Sequence, residues 1–347
     1  MKKYLLKILL YTALLAAVFA SVNMGIDPYN IFHYNVPRNN GVEPNKNYIK
    51  TEYILHHADR FDSFVFGSSR AGFLDPSLIP NGHYYNMCSS EAVPAEHLSI
   101  LKVFIRKGIV PKNLFVMIDD ITCFVDPALH QTILYRVPYP SGGLSDQVKF
   151  YLQYCDLITT AESLKVIREF RNKENAKDAD YVTRYQTLGC ERLDKDPYYI
   201  EGAFDCGYWA DYYALRVSEA VEDIKELKAL CEQYDINLIL VTNPLYEKTY
   251  ARGVENGYID FLEALSGVTD FWNFSSFSDI TMNEENYYEA SHFTPKIAAK
   301  MIDTVFGDDP DGELWAQGFG IHVTEENREE FIAFLRHQAK EAGVTMP

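Results

Sequence analysis

Apolar and polar positions alternate along the chain in blocks that change period. Ile8 to Met24 is almost wholly apolar and follows a basic start, Met1-Lys-Lys-Tyr-Leu-Leu-Lys7, with no acid before Asp27. Residues 25–60, rich in Asn, Tyr and Pro, read as an extended lead-in. Phe61 to Phe66 is a short apolar run closed by Gly67, the signature of a buried strand. Pro94 to Arg106 carries Ala95, Leu98, Leu101 and Ile105 at helical spacing, and Asn113 to Ile118 is a second strand ending at Asp119-Asp120. Val217 to Tyr234 has a helical period. Ile236 to Thr242 is a third strand closed by Asn243-Pro244, Tyr258 to Leu265 is helical and Val268 to Phe274 strand-like. Thr294-Pro295 opens a helix through Phe306, with Thr as N-cap and Pro at the first helical position. A last helical pattern, Arg328 to Lys340, follows Thr324-Glu-Glu-Asn.

Strands alternating with helices predict an α/β domain with a mainly parallel sheet over residues 61–306. The alternation breaks at about 121–212, which holds a helix near 145–171 and an irregular Tyr-rich stretch. It is most simply an insertion within one domain. Residues 307–347 form a C-terminal helical extension. Residues 1–24 are a targeting segment with two competing fates. Val18-Phe19-Ala20 can serve as a signal-peptide cleavage site, whereas Tyr4 to Met24 is long enough to span a bilayer as an uncleaved anchor. Either fate sends the remainder of the chain out of the cytoplasm, membrane-anchored or secreted.

Charge narrows the possible functions. The 347 residues include 32 Lys+Arg and 49 Asp+Glu, a net charge of −17. Such acidity argues against nucleic acid as a partner, because that binding needs a basic footprint. Cys88, Cys123, Cys155, Cys190, Cys206 and Cys231 show no Cys-x-x-Cys spacing, so no zinc site is expected. Cys190 and Cys206 are the best disulfide candidates in an oxidising compartment; buried free thiols are the plainer alternative. No dinucleotide fingerprint, P-loop lysine or His-Glu-x-x-His is present, and no metal or cofactor is implied.

Two short blocks carry chemistry. In Phe64-Val-Phe-Gly67-Ser68-Ser69-Arg70 a strand runs into Gly-Ser-Ser, and a Ser at the carboxyl end of a parallel strand lies where such sheets bind ligands. Alone, the block also reads as a Gly-Ser turn with a hydroxyl cap. In Glu289-Ala-Ser-His292 a carboxylate three residues before a His can hold its Nδ1–H and leave Nε2 facing a nucleophile. Alone, this His would be an ordinary surface residue near a helix start.

Together these blocks resemble the SGNH (GDSL-like) hydrolase superfamily. The closer likeness is to its extracytoplasmic, membrane-anchored branch, which includes the D-alanyl transfer and alginate acetylation proteins. The resemblance implies a three-layer α/β/α flavodoxin-like sandwich. It also implies a serine esterase or O-acyltransferase acting on acyl groups of a cell-surface glycan, with a multi-pass membrane acyltransferase as a possible partner. Ser69 matches the nucleophile, His292 the base, and Glu289 falls where the family usually has Asp. The family draws oxyanion donors from a Gly and an Asn after the second and third strands. Here Asn86 and Ser90 stand near the first position as candidate donors, and no Gly-x-Asn is present at either. An ionised Asp119 would repel an oxyanion, so it reads better as a supporting or structural group than as a donor; Arg70 could bind an anionic or sugar group or equally form a salt bridge to one of many acids. Arg70, Asp119, Asn243 and Trp209 are the candidate substrate contacts. The missing donors favour a rival reading, a non-catalytic glycan-binding or scaffold subunit of an acyltransferase system. Gly67-Ser-Ser69-Arg-Ala71 also approaches the Gly-x-Ser-x-Gly of α/β-hydrolases. That fold needs several strands before its nucleophile, and only about 40 residues precede Ser69 after the apolar segment. Seven Tyr between 181 and 213, with Trp209 and Phe204, suit either a platform for sugar rings or packing of the insertion.

Overall fold

A computed structural model describes residues 2–194, 202–208, 214–307 and 311–347. The helices and strands are α1 (Lys2–Ile26), α2 (Lys46–His56), β1 (Ser63–Gly67), β2 (Tyr84–Asn86), α3 (Pro94–Arg106), β3 (Asn113–Ile118), α4 (Asp120–Phe124), α5 (Leu144–Gln153), α6 (Leu157–Phe170), α7 (Tyr181–Thr187) and α8 (Val217–Gln233). They continue with β4 (Asn237–Thr242), α9 (Glu247–Glu255), α10 (Tyr258–Ser266), β5 (Phe271–Asn273), β6 (Tyr287–Glu289), β7 (His292–Phe293), α11 (Pro295–Phe306), α12 (Gly312–Ala316), β8 (Ile321–Val323) and α13 (Arg328–Glu341).

The protein is α/β, with a six-stranded sheet of order β2-β1-β3-β4-β5-β8. The first five strands run parallel, and β8 pairs antiparallel with β5 at the edge. Register follows the apolar pattern, because side chains alternate across a strand. Phe64 and Phe66 of β1, Leu114, Val116 and Ile118 of β3 and Leu240 of β4 enter one core, which α3, α8, α10 and α13 cover. Val65, Phe115, Met117 and Val241 enter a second core on the opposite face with Ile297, Ala298 and Met301 of α11. Both faces are thus buried, and β1 and β3 are apolar almost without interruption, as parallel strands between two layers must be.

The three long strands and helices α3, α8, α10 and α11 lie where the periodicity places them. Thr294 sits at the N-cap position of α11 with Pro295 following, although its hydroxyl makes no capping bond. The lead-in is not wholly extended. Asn45 caps α2, accepting from Tyr48 N–H at 2.9 Å, and Tyr48, Ile49, Tyr53 and Ile54 bury one face of that helix. The inserted helix near 145–171 is two helices, α5 and α6, separated at Asp156, whose carboxylate caps α6 through Thr159 N–H at 2.8 Å. Strands β2, β6, β7 and β8 have two or three residues each, too few for a period to show.

The apolar start forms α1, long and apolar enough to cross a membrane; a signal sequence has the same form. Its inner end is tied to the domain. Asn23 is buried and accepts from Thr160 Oγ1 of α6, and Arg38 Nη1 donates to the carbonyls of Gly25 at 2.7 Å and Ile26 at 3.1 Å. Those carbonyls have no partner inside the helix, so Arg38 closes its C-terminus.

All six cysteines are free, and the candidate Cys190–Cys206 bond is not formed: Cys190 is buried and Cys206 exposed. Tyr185 is a packing residue, buried with its hydroxyl donating to Tyr34 and Ile49 carbonyls at 2.6 and 2.8 Å.

Asn45 joins the lead-in to the insertion. Besides capping α2 it donates to the carbonyls of Leu134 at 3.1 Å and Val137 at 2.9 Å, and to Tyr154 Oη at 2.7 Å. A lost cap costs about 1 kcal/mol, and buried carbonyls left bare add roughly 1–3 kcal/mol. Asn45→Ala is therefore expected to lower the unfolding free energy by about 2 kcal/mol or more, measured by urea denaturation. A change under about 0.5 kcal/mol would show that water replaces the amide without penalty.

Candidate active site

The carboxyl ends of β1, β3 and β4 converge on one polar cluster. β1 ends at Gly67, where a Cβ would lie 2.6 Å from Ala71 Cβ and 3.0 Å from the Met117 carbonyl, so only glycine permits this approach to β3. The chain then turns into a 3-10 segment, Ser69–Phe73. Ser68 stands at its N-cap and donates its hydroxyl to Asp119 Oδ2 at 2.7 Å. Ser69 is the first residue of the turn, and its side chain is partly exposed.

Opposite it, β6 and β7 form a hairpin in which Glu289 and His292 pair directly across a two-residue loop. Cross-strand partners share a face, so the Glu-x-x-His spacing sets the two side chains next to each other. His292 Nδ1 hydrogen-bonds Glu289 Oε1, and His292 Nε2 lies 2.9 Å from Ser69 Oγ. The second Glu289 oxygen accepts from Ser291 N–H at 2.7 Å. Burial opposes ionisation of Glu289. The His292 hydrogen bond and charge, the Ser291 N–H and Arg70 outweigh it and hold the carboxyl below its usual range. The three groups form a continuous acid–imidazole–hydroxyl chain, the arrangement that lets an imidazole take a serine proton while a carboxylate steadies the resulting charge. Asp279, the nearest Asp before His292 in sequence, is occupied with Gln317 Nε2 at 3.0 Å.

Behind this chain lies a buried ionic cluster. Arg70 has no exposed surface. Its Nη1 lies 2.5 Å from Asp120 Oδ1 and 3.0 Å from Asp119 Oδ2, and its Nε donates to the Ser291 carbonyl at 2.8 Å. Asn243 Nδ2 donates to Asp119 at 2.9 Å. Arg70, Asp119 and Asn243 are thus not substrate contacts. They are sealed from solvent and couple β1, β3 and β4 to the hairpin loop. Asn86 is likewise unavailable as an oxyanion donor. Its amide is fully buried and donates to the Ala71 and Leu74 carbonyls at 2.7 and 3.1 Å. Ser90 is partly exposed and opens onto the same cavity as Ser69. Trp209 lies outside the described residues.

That cavity, of about 330 Å3, is walled by Phe73, Glu91, Arg136 and Tyr208 around Ser69 and His292. Glu91 has a left-handed backbone (φ +52°) and is nearly buried. It is held by Arg136 Nη1 at 2.7 Å and by the Tyr208 hydroxyl. Strained, buried acids of this kind collect at functional sites. Glu91, Arg136 and Lys46, which also lines the wall, were not singled out from the sequence. They come from three distant segments with no shared motif, so only Tyr208 had a signal, as one of the clustered tyrosines.

No protein-family model matches the chain, and no curated protein matches it.

Two predictions concern the cluster. Removing one partner of a buried ion pair leaves an uncompensated charge and costs about 3–5 kcal/mol. Arg70→Met is expected to lose that much stability in a urea titration; an unchanged midpoint would mean the cluster is not ionic. The second concerns pH. Burial, followed by the opposing attraction of Arg70 and then repulsion from Asp119, leaves the Asp120 carboxyl raised to about 6. A carboxyl whose pKa is higher folded than unfolded binds its proton more tightly in the native state. Its contribution therefore declines as pH rises from about 4 to about 6. The stability of the native protein minus that of Asp120→Asn should fall across this window; a constant difference would exclude the shift.

Proposed function

We propose that this protein is a serine esterase or O-acyltransferase of the SGNH type, working outside the cytoplasm on acyl groups of a cell-surface glycan and held to the membrane by residues 4–24. The observation that carries this reading is the Ser69–His292–Glu289 chain, with 2.9 Å between Ser69 Oγ and His292 Nε2. The strand order β2-β1-β3-β4-β5 also supports it, being that of flavodoxin-type doubly wound sheets, whose ligands sit beyond the strand carboxyl ends. A Ser following the first strand, rather than a late one, fits this type better than an α/β-hydrolase.

In this mechanism His292 Nε2 takes the Ser69 proton as Oγ bonds to the ester carbonyl carbon. Glu289 stays ionised beside the imidazolium. The N–H of Ser69 opens its 3-10 turn, and neither it nor the N–H of Ser90 has a hydrogen-bond acceptor among the described residues. These two groups take the place of the Asn86 amide as oxyanion donors. The tetrahedral species collapses as the carbonyl carbon–alkoxy bond breaks and His292 returns its proton to the departing alcohol. Water or a sugar hydroxyl, deprotonated by the same nitrogen, then releases the acyl group from Ser69. Which acceptor arrives decides between hydrolysis and transfer.

A fluorophosphonate is expected to label the full-length protein at Ser69 and not the Ser69→Ala variant, with turnover of a 4-nitrophenyl acetate ester lost in step. Glu289→Gln should retain the fold but lower kcat by roughly 10³–10⁴-fold, because the imidazolium loses its counter-charge. No labelling and no turnover would exclude the esterase reading in favour of a non-catalytic subunit. Full activity in Glu289→Gln would reduce the triad to a Ser–His pair.

A further inference from the structure

The cavity at Ser69 is one of three that adjoin in series. It shares Glu43, Lys46, Phe73 and Glu191 with a second cavity of about 330 Å3. That one in turn shares Arg38, Asn39, Asn40 and Phe170 with a third, of about 540 Å3. The third cavity opens between Gly25 and Ile26 at the end of α1 and Leu164, Ile167 and Phe170 of α6. The three cavities thus adjoin in turn between the foot of the apolar helix and Ser69, with the Lys46–Glu191 ion pair standing where the first two meet.

The charged groups differ from one cavity to the next. At the α1–α6 end half of the lining is aliphatic or aromatic, Ile26, Leu164, Ile167, Phe170 and Ala176, and the charged groups there are Arg38 and Arg171. The middle carries five cations against three acids, although the chain as a whole has a net charge of −17. The far end holds Ser69 and His292. The α1–α6 end lies level with the foot of α1, since Asn23 of α1 is bonded to Thr160 of α6. On the same two inserted helices, Leu144, Leu152, Ile158 and Leu164 expose their side chains. Apolar side chains on helices fixed beside a membrane-length helix match a lipid surface.

We propose that the three cavities form a groove that takes an amphiphile from the membrane surface: a glycolipid whose apolar tail lies between α1 and α6 and whose sugar head, carrying an acyl ester, crosses the polar middle to reach Ser69. The charged middle suits hydroxyl-rich head groups and would gain nothing from an alkyl chain, so the ester belongs on the head and not the tail. This deepens the esterase reading and rests on it for the chemical step alone.

The test uses the full-length protein in phosphatidylcholine vesicles and two probes with the same ester, O-acetylated dodecyl maltoside and O-acetylated methyl maltoside. Burying a few methylenes at about 0.8 kcal/mol each predicts kcat/KM at least about tenfold higher for the tailed probe. Asn175 is exposed on the wall of the middle cavity, and Asn175→Trp should reduce that ratio towards one. Equal kcat/KM for both probes, or a ratio unchanged in Asn175→Trp, overturns the proposal. A dodecyl maltoside with a diazirine in its tail reads the groove without any turnover. Labelling within residues 38–43 and 164–175 is expected, and labelling confined to residues 2–24 overturns it. Failure of the esterase reading is separate, shown by an unlabelled Ser69 and no deacetylation of either probe while the photolabel still reports on the groove.

Discussion

A single buried guanidinium holds the site together. Arg70, one residue after the candidate nucleophile, reaches Asp119 and Asp120 beyond β3 and the Ser291 carbonyl in the hairpin loop. Burying a cation and two carboxylates is costly unless they satisfy one another. Once they do, they set the spacing between the β1 turn and the β6–β7 hairpin. Ser69 and His292, 223 positions apart in sequence, meet because their neighbours Arg70 and Ser291 are bonded.

The hairpin supplies orientation. Direct pairing of Glu289 with His292 places carboxylate and imidazole on one face, and Ser291 N–H fixes the second carboxylate oxygen. The loop is held from outside as well, since Thr249 Oγ1 donates to the Ala290 carbonyl at 2.6 Å. Little rotational freedom remains for His292, which fits the proton transfer proposed for it. Electrostatics divide the same region into a sealed ionic layer beneath and a mixed-charge cavity above, where Glu91, Arg136 and Tyr208 form a wall.

The lead-in and insertion connect this site to α1. Arg38 closes the α1 C-terminus, Asn45 joins α2 to the insertion, and Thr160 meets Asn23. Elements that look peripheral to an α/β sheet thus line the cavities between α1 and Ser69.

The α/β class, the three long strands and the major helices were legible in the sequence because each is long enough for its period to repeat. Ser69, Glu289 and His292 were legible because Gly-x-Ser at a strand end and Glu-x-x-His are local patterns, each positioned by one turn or hairpin. A structural role for Asp119 and a salt bridge for Arg70 were among the readings the sequence offered, but the partners of Arg70, Asn86 and Asn243 were not legible. Whether a polar side chain faces a ligand or a buried partner depends on groups 12 to 221 residues away, and no local spacing records that. Two- and three-residue strands, the break between α5 and α6 and the wall around the cavity were equally hidden, since long-range packing makes them. Local periodicity and short motifs determined the framework and the candidate Ser, His and Glu; tertiary structure decided which polar side chains are sealed and which open onto the cavity at Ser69, because burial depends on partners far away in sequence.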